Sequence, residues 1–161
     1  MIKINNVPFI NDTPIWEVDI FNLPEDSFFD SIKYIDKGEG RWESIDESEE
    51  ALKIFNQIDK KSIEERFSCS LNIVTKVLKD EPSFRLIPHY DNELIFGIII
   101  INLIDNDSAT IFYEKNNEVK KMAPLTKGRG ILYLNSLDAK HGYVNTSTKN
   151  RYIVMSILYK K

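Results

Sequence analysis

Leu94-Ile95-Phe96-Gly97-Ile98-Ile99-Ile100-Ile101-Asn102-Leu103-Ile104 is apolar at nearly every position. A strand with one wet face alternates apolar and polar residues, whereas a strand covered on both faces does not. Read as a strand, this run belongs in the middle of a sandwich or barrel. It is too short to cross a bilayer, which takes about 20 apolar residues.

The neighbouring segments agree. Ile73 to Leu78 is rich in β-branched residues. Asp80-Glu81-Pro82-Ser83 reads as a turn, and Phe84 to Ile87 as a short strand leading to His89. Strands are expected over Ala109–Glu114, Val119–Met122, Gly130–Asn135, around His141, and from Arg151 to Tyr159. Polar turns separate them, at 105–108, 115–118 and 145–150. No helical period interrupts residues 73–161. Many short strands in succession imply an all-β sandwich or barrel.

The N-terminal part is different. The first twenty residues read as extended, punctuated by Pro8 and Pro14. Pro24-Glu25-Asp26 opens an expected helix, with acidic residues suited to the N-terminal dipole. Phe28, Phe29, Ile32 and Ile35 follow at helical spacing, so the helix is expected to run to Lys37-Gly38. Residues 38–47 read as a polar loop, a lid in an enzyme or an ordinary surface loop. Ser48 caps a second helix with Leu52, Phe55 and Ile58 inward, and a third follows over Ser62–Phe67. The expected class is α+β, mainly β: a double-stranded β-helix (jelly-roll or cupin-like barrel) with supporting N-terminal helices. One domain is expected over 1–161, with residues 1–71 as support and 72–161 as the β core.

Composition bounds the function. A net charge of −4 and a pI near 5.3 disfavour nucleic-acid binding, which needs basic patches to neutralise phosphates. The single cysteine, Cys69, cannot form an intrachain disulfide and reads as a structural or incidental thiol. No signal-peptide pattern and no membrane span is present, so a cytoplasmic location is expected. Oligomeric state is not legible.

The chemistry gathers on few residues. The chain has two histidines, His89 and His141. His89 stands in Pro88-His89-Tyr90-Asp91, and in extended chain residues i and i+2 point to one face. An imidazole and a carboxylate there can converge on one ion, and His141 from a distant strand can complete the set. Two imidazoles and one carboxylate leave open the positions that a non-haem Fe(II) oxygenase needs for its cosubstrate and O₂. The same set would also hold Zn²⁺, Co²⁺ or Ni²⁺. Arg151 follows across the polar turn 145–150. If the two strands pair as a hairpin, its guanidinium lies beside His141 and can grip a carboxylate with two prongs. 2-Oxoglutarate, which chelates iron at one end and carries a free carboxylate at the other, has the required shape.

On these residues the chain resembles the Fe(II)/2-oxoglutarate-dependent oxygenases, in particular their prolyl 4-hydroxylase-like branch with its small phage and bacterial members. Pro88-His89-Tyr90-Asp91 is similar to the branch's metal-binding segment, and His141 with Arg151 to its distal histidine and basic residue. Asp107-Ser108-Ala109-Thr110 stands where the family usually carries a Gly-Gly-Glu-Thr run. The resemblance implies that His89, Asp91 and His141 hold Fe(II) and that Arg151 binds the distal carboxylate of 2-oxoglutarate. It implies weaker cosubstrate contacts for Asn102, where many relatives have a tyrosine, and for Thr110. Asp80 lies near another tyrosine position and receives no role. The implied reaction consumes O₂ and 2-oxoglutarate, releases succinate and CO₂, and hydroxylates a small molecule or a peptidyl or amino-acid substrate. Two other readings share part of this pattern: a cupin-like metalloenzyme that does not use 2-oxoglutarate, and a non-catalytic β-barrel binding module.

Overall fold

The computed structural model of the chain describes residues 1–45 and 48–161. In order the elements are β1 (Lys3–Pro8), β2 (Ile15–Asp19), α1 (Asp26–Ser31), β3 (Tyr34–Asp36), β4 (Arg41–Ser44), α2 (Glu49–Asn56), α3 (Lys60–Phe67) and β5 (Leu71–Asp80). Then follow β6 (Arg85–His89), β7 (Gly97–Asn102), β8 (Thr110–Tyr113), β9 (Val119–Met122), β10 (Arg129–Leu134), β11 (His141–Val144) and β12 (Arg151–Lys160).

Among the described residues the strands form two antiparallel sheets. The larger runs β1-β2-β10-β7-β12-β5-β4-β3, and the smaller β6-β11-β8-β9. This is a double-stranded β-helix, mainly β, with the helices set against one face of the larger sheet. The strand β7 lies at its centre, between β10 and β12. Its missing alternation has the expected cause. Ile99 and Ile101 pack on the helix side with Phe29, Ile54 and Ile63. Ile98 and Ile100 face the interior between the sheets. Each isoleucine so buried contributes roughly 1.5–3 kcal/mol. The β12 strand alternates in the same sense: Tyr152, Val154 and Leu158 join the helix-side core, and Arg151, Ile153, Met155 and Ile157 line the interior.

The N-terminal part departs from expectation in three places. Helix α1 stops at Ser31, because Ile32 turns extended (φ −75°, ψ 157°) and Tyr34–Asp36 then pairs with β4. Ile35 is therefore exposed rather than on a buried helical face. The polar run 38–47 is no loop throughout. Gly38, Glu39 and Gly40 turn at positive φ, and Arg41–Ser44 then adds a strand to β5. Cross-strand partners outweigh polar composition there. Asp46 and Glu47 lie outside the described residues. Helix α2 starts where expected, with Ser48 accepting from the Ala51 N–H at 3.3 Å, but it buries Ala51 and Ile54 while Leu52 is exposed. None of the described helices is long and apolar enough to cross a membrane.

Candidate metal centre

Strand β6 ends on His89, and Asp91 follows two residues later. The first residue of β11, His141, pairs directly opposite His89 in the smaller sheet. The two imidazole rings thus stand 4.5 Å apart, centre to centre. Asp91 reaches between them, with Oδ1 3.8 Å from His89 Nε2 and Oδ2 3.9 Å from His141 Nε2. One donor atom from each of the three residues lies within 4.8 Å of the others.

The far side of each ring is tied down. His89 Nδ1 is 2.8 Å from the Ile87 carbonyl and His141 Nδ1 is 2.9 Å from the Ala139 carbonyl. A carbonyl only accepts, so Nδ1 carries the proton in both rings. In the neutral rings Nε2 then presents a bare lone pair toward Asp91. This is the arrangement that orients histidines for a metal. Burial lowers the His141 pKa from its ordinary 6.5, partly opposed by Asp91, which favours that neutral form.

A residue that sequence reading missed completes the centre. Tyr133, fully buried on β10, places its hydroxyl 3.0 Å from Asp91 Oδ2 and 3.0 Å from His141 Nε2. Its single proton goes to the carboxylate, which leaves the phenol oxygen and Nε2 with lone pairs facing each other. A cation bound to Nε2 would take up its lone pair and remove that conflict. Burial and the Asp91 charge both hold the Tyr133 phenol well above its ordinary pKa, so it stays a donor. In the sequence Tyr133 is one aromatic in a strand, which is ordinary β composition.

A cavity of about 250 Å³ runs inward from His89, Asp91 and His141 to Arg151. Its walls are apolar, among them Ile98, Ile100 and Ile153. At its end Arg151 is almost wholly buried and stacks over the Tyr143 ring at 3.9 Å. Arg151 reaches Thr110 Oγ1 at 3.3 Å, and Asp80 Oδ2 lies 3.7 Å from Arg151 Nη1. Among the described residues, two buried atoms there, Arg151 Nε and the Tyr143 hydroxyl, have no well-aligned hydrogen-bond partner, although the two side chains lie against each other. Burial lowers the Arg151 pKa and raises that of Tyr143 to about 12. Buried donors without partners cost about 1–3 kcal/mol each, so this end fits an anion. The donor set at the outer end fits a divalent cation.

Arg151 does not reach this place by a hairpin. The strands β11 and β12 lie in different sheets, β11 against β6 and β8, and β12 against β5 and β7. His141 and Arg151 meet across the interior instead. Thr110 lines the same cavity, whereas Asn102 does not. The Asn102 amide donates to the Pro124 carbonyl at 2.7 Å and accepts from Asn106 at 3.2 Å, binding the 102–106 turn to the 124 segment. Both ends of the amide are thus engaged within the protein, at the end of β7. Asp80, given no role from the sequence, sits fully buried beside Arg151, held by Arg41.

No protein-family model and no curated protein matches the chain. Solved structures share its fold. The viral collagen prolyl hydroxylase of Paramecium bursaria Chlorella virus-1, in a 2OG complex, is 15% identical over 94% of this chain and 98% of its own, with a TM-score of 0.64. A prolyl hydroxylase from Trichoplax adhaerens, bound to a hypoxia-inducible-factor peptide fragment, is 13% identical over 92% of this chain and 84% of its own, with a TM-score of 0.64. A Pseudomonas putida prolyl-4-hydroxylase is 10% identical over 84% of this chain and 80% of its own, with a TM-score of 0.58.

Proposed function

We propose that the chain is an Fe(II)- and 2-oxoglutarate-dependent oxygenase that hydroxylates a small-molecule, amino-acid or peptidyl substrate with release of succinate and CO₂. The observation that carries this reading is the placement of two sites in one cavity. His89, Asp91 and His141 converge at its mouth, and Arg151 closes its inner end. A ligand that chelates a metal at one end and ends in a carboxylate matches that layout. The shared fold of the prolyl hydroxylases supports the reading. In it, residues 1–161 act as one oxygenase domain.

Bound Fe(II) and 2-oxoglutarate supply the oxidising power from O₂. The chain's own residues bind, orient and exclude water. His89 and His141 offer Nε2 because Ile87 and Ala139 fix their tautomers. Tyr133 holds the Asp91 carboxylate in place. Arg151 receives the distal carboxylate with a planar, two-pronged donor, and Thr110 steadies the guanidinium. Ile98, Ile100 and Ile153 keep the interior dry, which strengthens each charge interaction inside it.

The substrate approaches from outside. A groove of about 490 Å³, lined in part by Tyr90, Leu94, Asn135 and Leu137, meets the inner cavity at Asp91 and Ile95. Leu94 and Leu137 are 74% and 69% exposed, so its rim is partly apolar. An extended peptide or a small amphipathic molecule suits such a rim.

The test is anaerobic binding of Fe(II) and 2-oxoglutarate, followed by succinate release in air, with His89→Ala as control. Wild type is expected to release succinate and the variant to release none. Equal release from both would sink the assignment.

A further inference from the structure

We propose that Arg41 is a positioning residue that neutralises Asp80 and so leaves Arg151 free to bind a ligand carboxylate. This rests on the oxygenase reading above and concerns the inner end of the same cavity.

Three charged residues stand in one row across neighbouring strands. Arg41 on β4 is directly opposite Asp80 on β5, and Asp80 is directly opposite Arg151 on β12. Asp80 is fully buried, and it divides itself unevenly. Arg41 grips it with both prongs, Nε to Oδ1 at 2.6 Å and Nη2 to Oδ2 at 2.9 Å. Arg151 stands off at 3.7 Å. Arg41 is itself anchored, stacked over the Phe84 ring at 4.3 Å.

Charge decides what this row can accept. Arg151 with Asp80 alone is neutral, and the nearest anion to an incoming carboxylate would be another carboxylate. Like charges that close repel strongly in a desolvated site. With Arg41 in place the row carries two cations and one anion, a net charge of +1 in a buried position. One further carboxylate brings it to zero, and such balance is what a buried cluster needs. Arg151 Nε and the Tyr143 hydroxyl, without a well-aligned hydrogen-bond partner among the described residues, are donors that an incoming carboxylate can use. Arg41 also lines this cavity, but both its prongs are spent on Asp80, so it sets the site's charge through that carboxylate.

Calorimetric titration of the Mn(II)-loaded protein without oxygen tests this, with 2-oxoglutarate as ligand and pyruvate as the 2-oxoacid lacking a distal carboxylate. In Arg41→Gln, Arg151 is expected to turn to Asp80, so that 2-oxoglutarate loses about one charge-assisted hydrogen bond and binds about 30-fold more weakly. Pyruvate should change by less than about threefold. Once Asp80 is neutral, Arg41 should cease to matter. Asp80→Asn and the double variant Arg41→Gln/Asp80→Asn should therefore bind 2-oxoglutarate within about threefold of each other. That pair decides the matter even if Arg41→Gln alone does not fold. Wild-type affinity in Arg41→Gln would overturn the inference, and so would a double variant far weaker than Asp80→Asn. In either case normal wild-type binding would leave the oxygenase reading standing. A wild type that binds no 2-oxoglutarate would remove both.

Discussion

The hydroxyl of fully buried Tyr133 donates to Asp91 Oδ2 at 3.0 Å. It fixes the one carboxylate among the three converging residues, and it approaches His141 Nε2 to the same distance.

Tyr133→Phe removes that hydrogen bond and changes little else in the packing. Partners that orient metal ligands are worth about 10–100-fold in metal affinity. A loss of about tenfold in Mn(II) or Co(II) binding is expected, with a melting temperature close to wild type. Undiminished metal affinity would mean that Asp91 is held well enough without Tyr133.

Arg151→Gln should separate the two ends of the cavity. Asp80 keeps its bidentate partner Arg41 in this variant, so no bare charge is left behind. Metal binding is expected within about twofold of wild type, and 2-oxoglutarate binding about 100-fold weaker, as for the loss of a two-pronged charged contact. Parallel loss of both affinities would argue against two separable subsites.

The metal-free protein should be acid-sensitive through His141. Burial lowers its folded pKa below 6.5, so just under that pH the unfolded chain binds the proton and the folded chain does not. Stability therefore falls as pH drops from 6.5 toward the lowered folded value, and levels off below it. Melting curves between about pH 7.5 and pH 5 read this directly. His141→Asn should flatten the fall. A bound metal competes with the same proton, so metal affinity should decline over the same window.

Gly130→Ala tests the central strand pair. A Cβ at Gly130 would lie 1.9 Å from the Ile100 carbonyl oxygen and 2.6 Å from Ile101 Cα, both backbone atoms of β7. Backbone of a central strand cannot move aside cheaply. A loss of roughly 2–4 kcal/mol in unfolding free energy is expected, from overpacking in the core. Denaturant titration would show it, and a loss below about 1 kcal/mol would mean that β10 shifts along β7 at little cost.

Much of this protein was legible in residue order alone, and for local reasons. The period of two along a strand is a property of the backbone, so the unbroken apolar run at β7 and the alternation elsewhere announced the sheets. The same period put His89 and Asp91 on one face. Helix α1 was read too long because Tyr34 and Ile35 suit helix and strand alike, and only pairing with β4 decides between them.

The tertiary structure decided what sequence spacing cannot encode. It set β11 and β12 in different sheets, so that His141 and Arg151 meet across an interior rather than along a hairpin. It brought Arg41, 39 residues away in sequence, against Asp80, and Tyr133, 42 residues away, against Asp91. Side chains on different strands become neighbours only through register and through which sheet each strand joins. Both follow from the summed burial and hydrogen bonding of the whole chain, and no single stretch of sequence carries that sum.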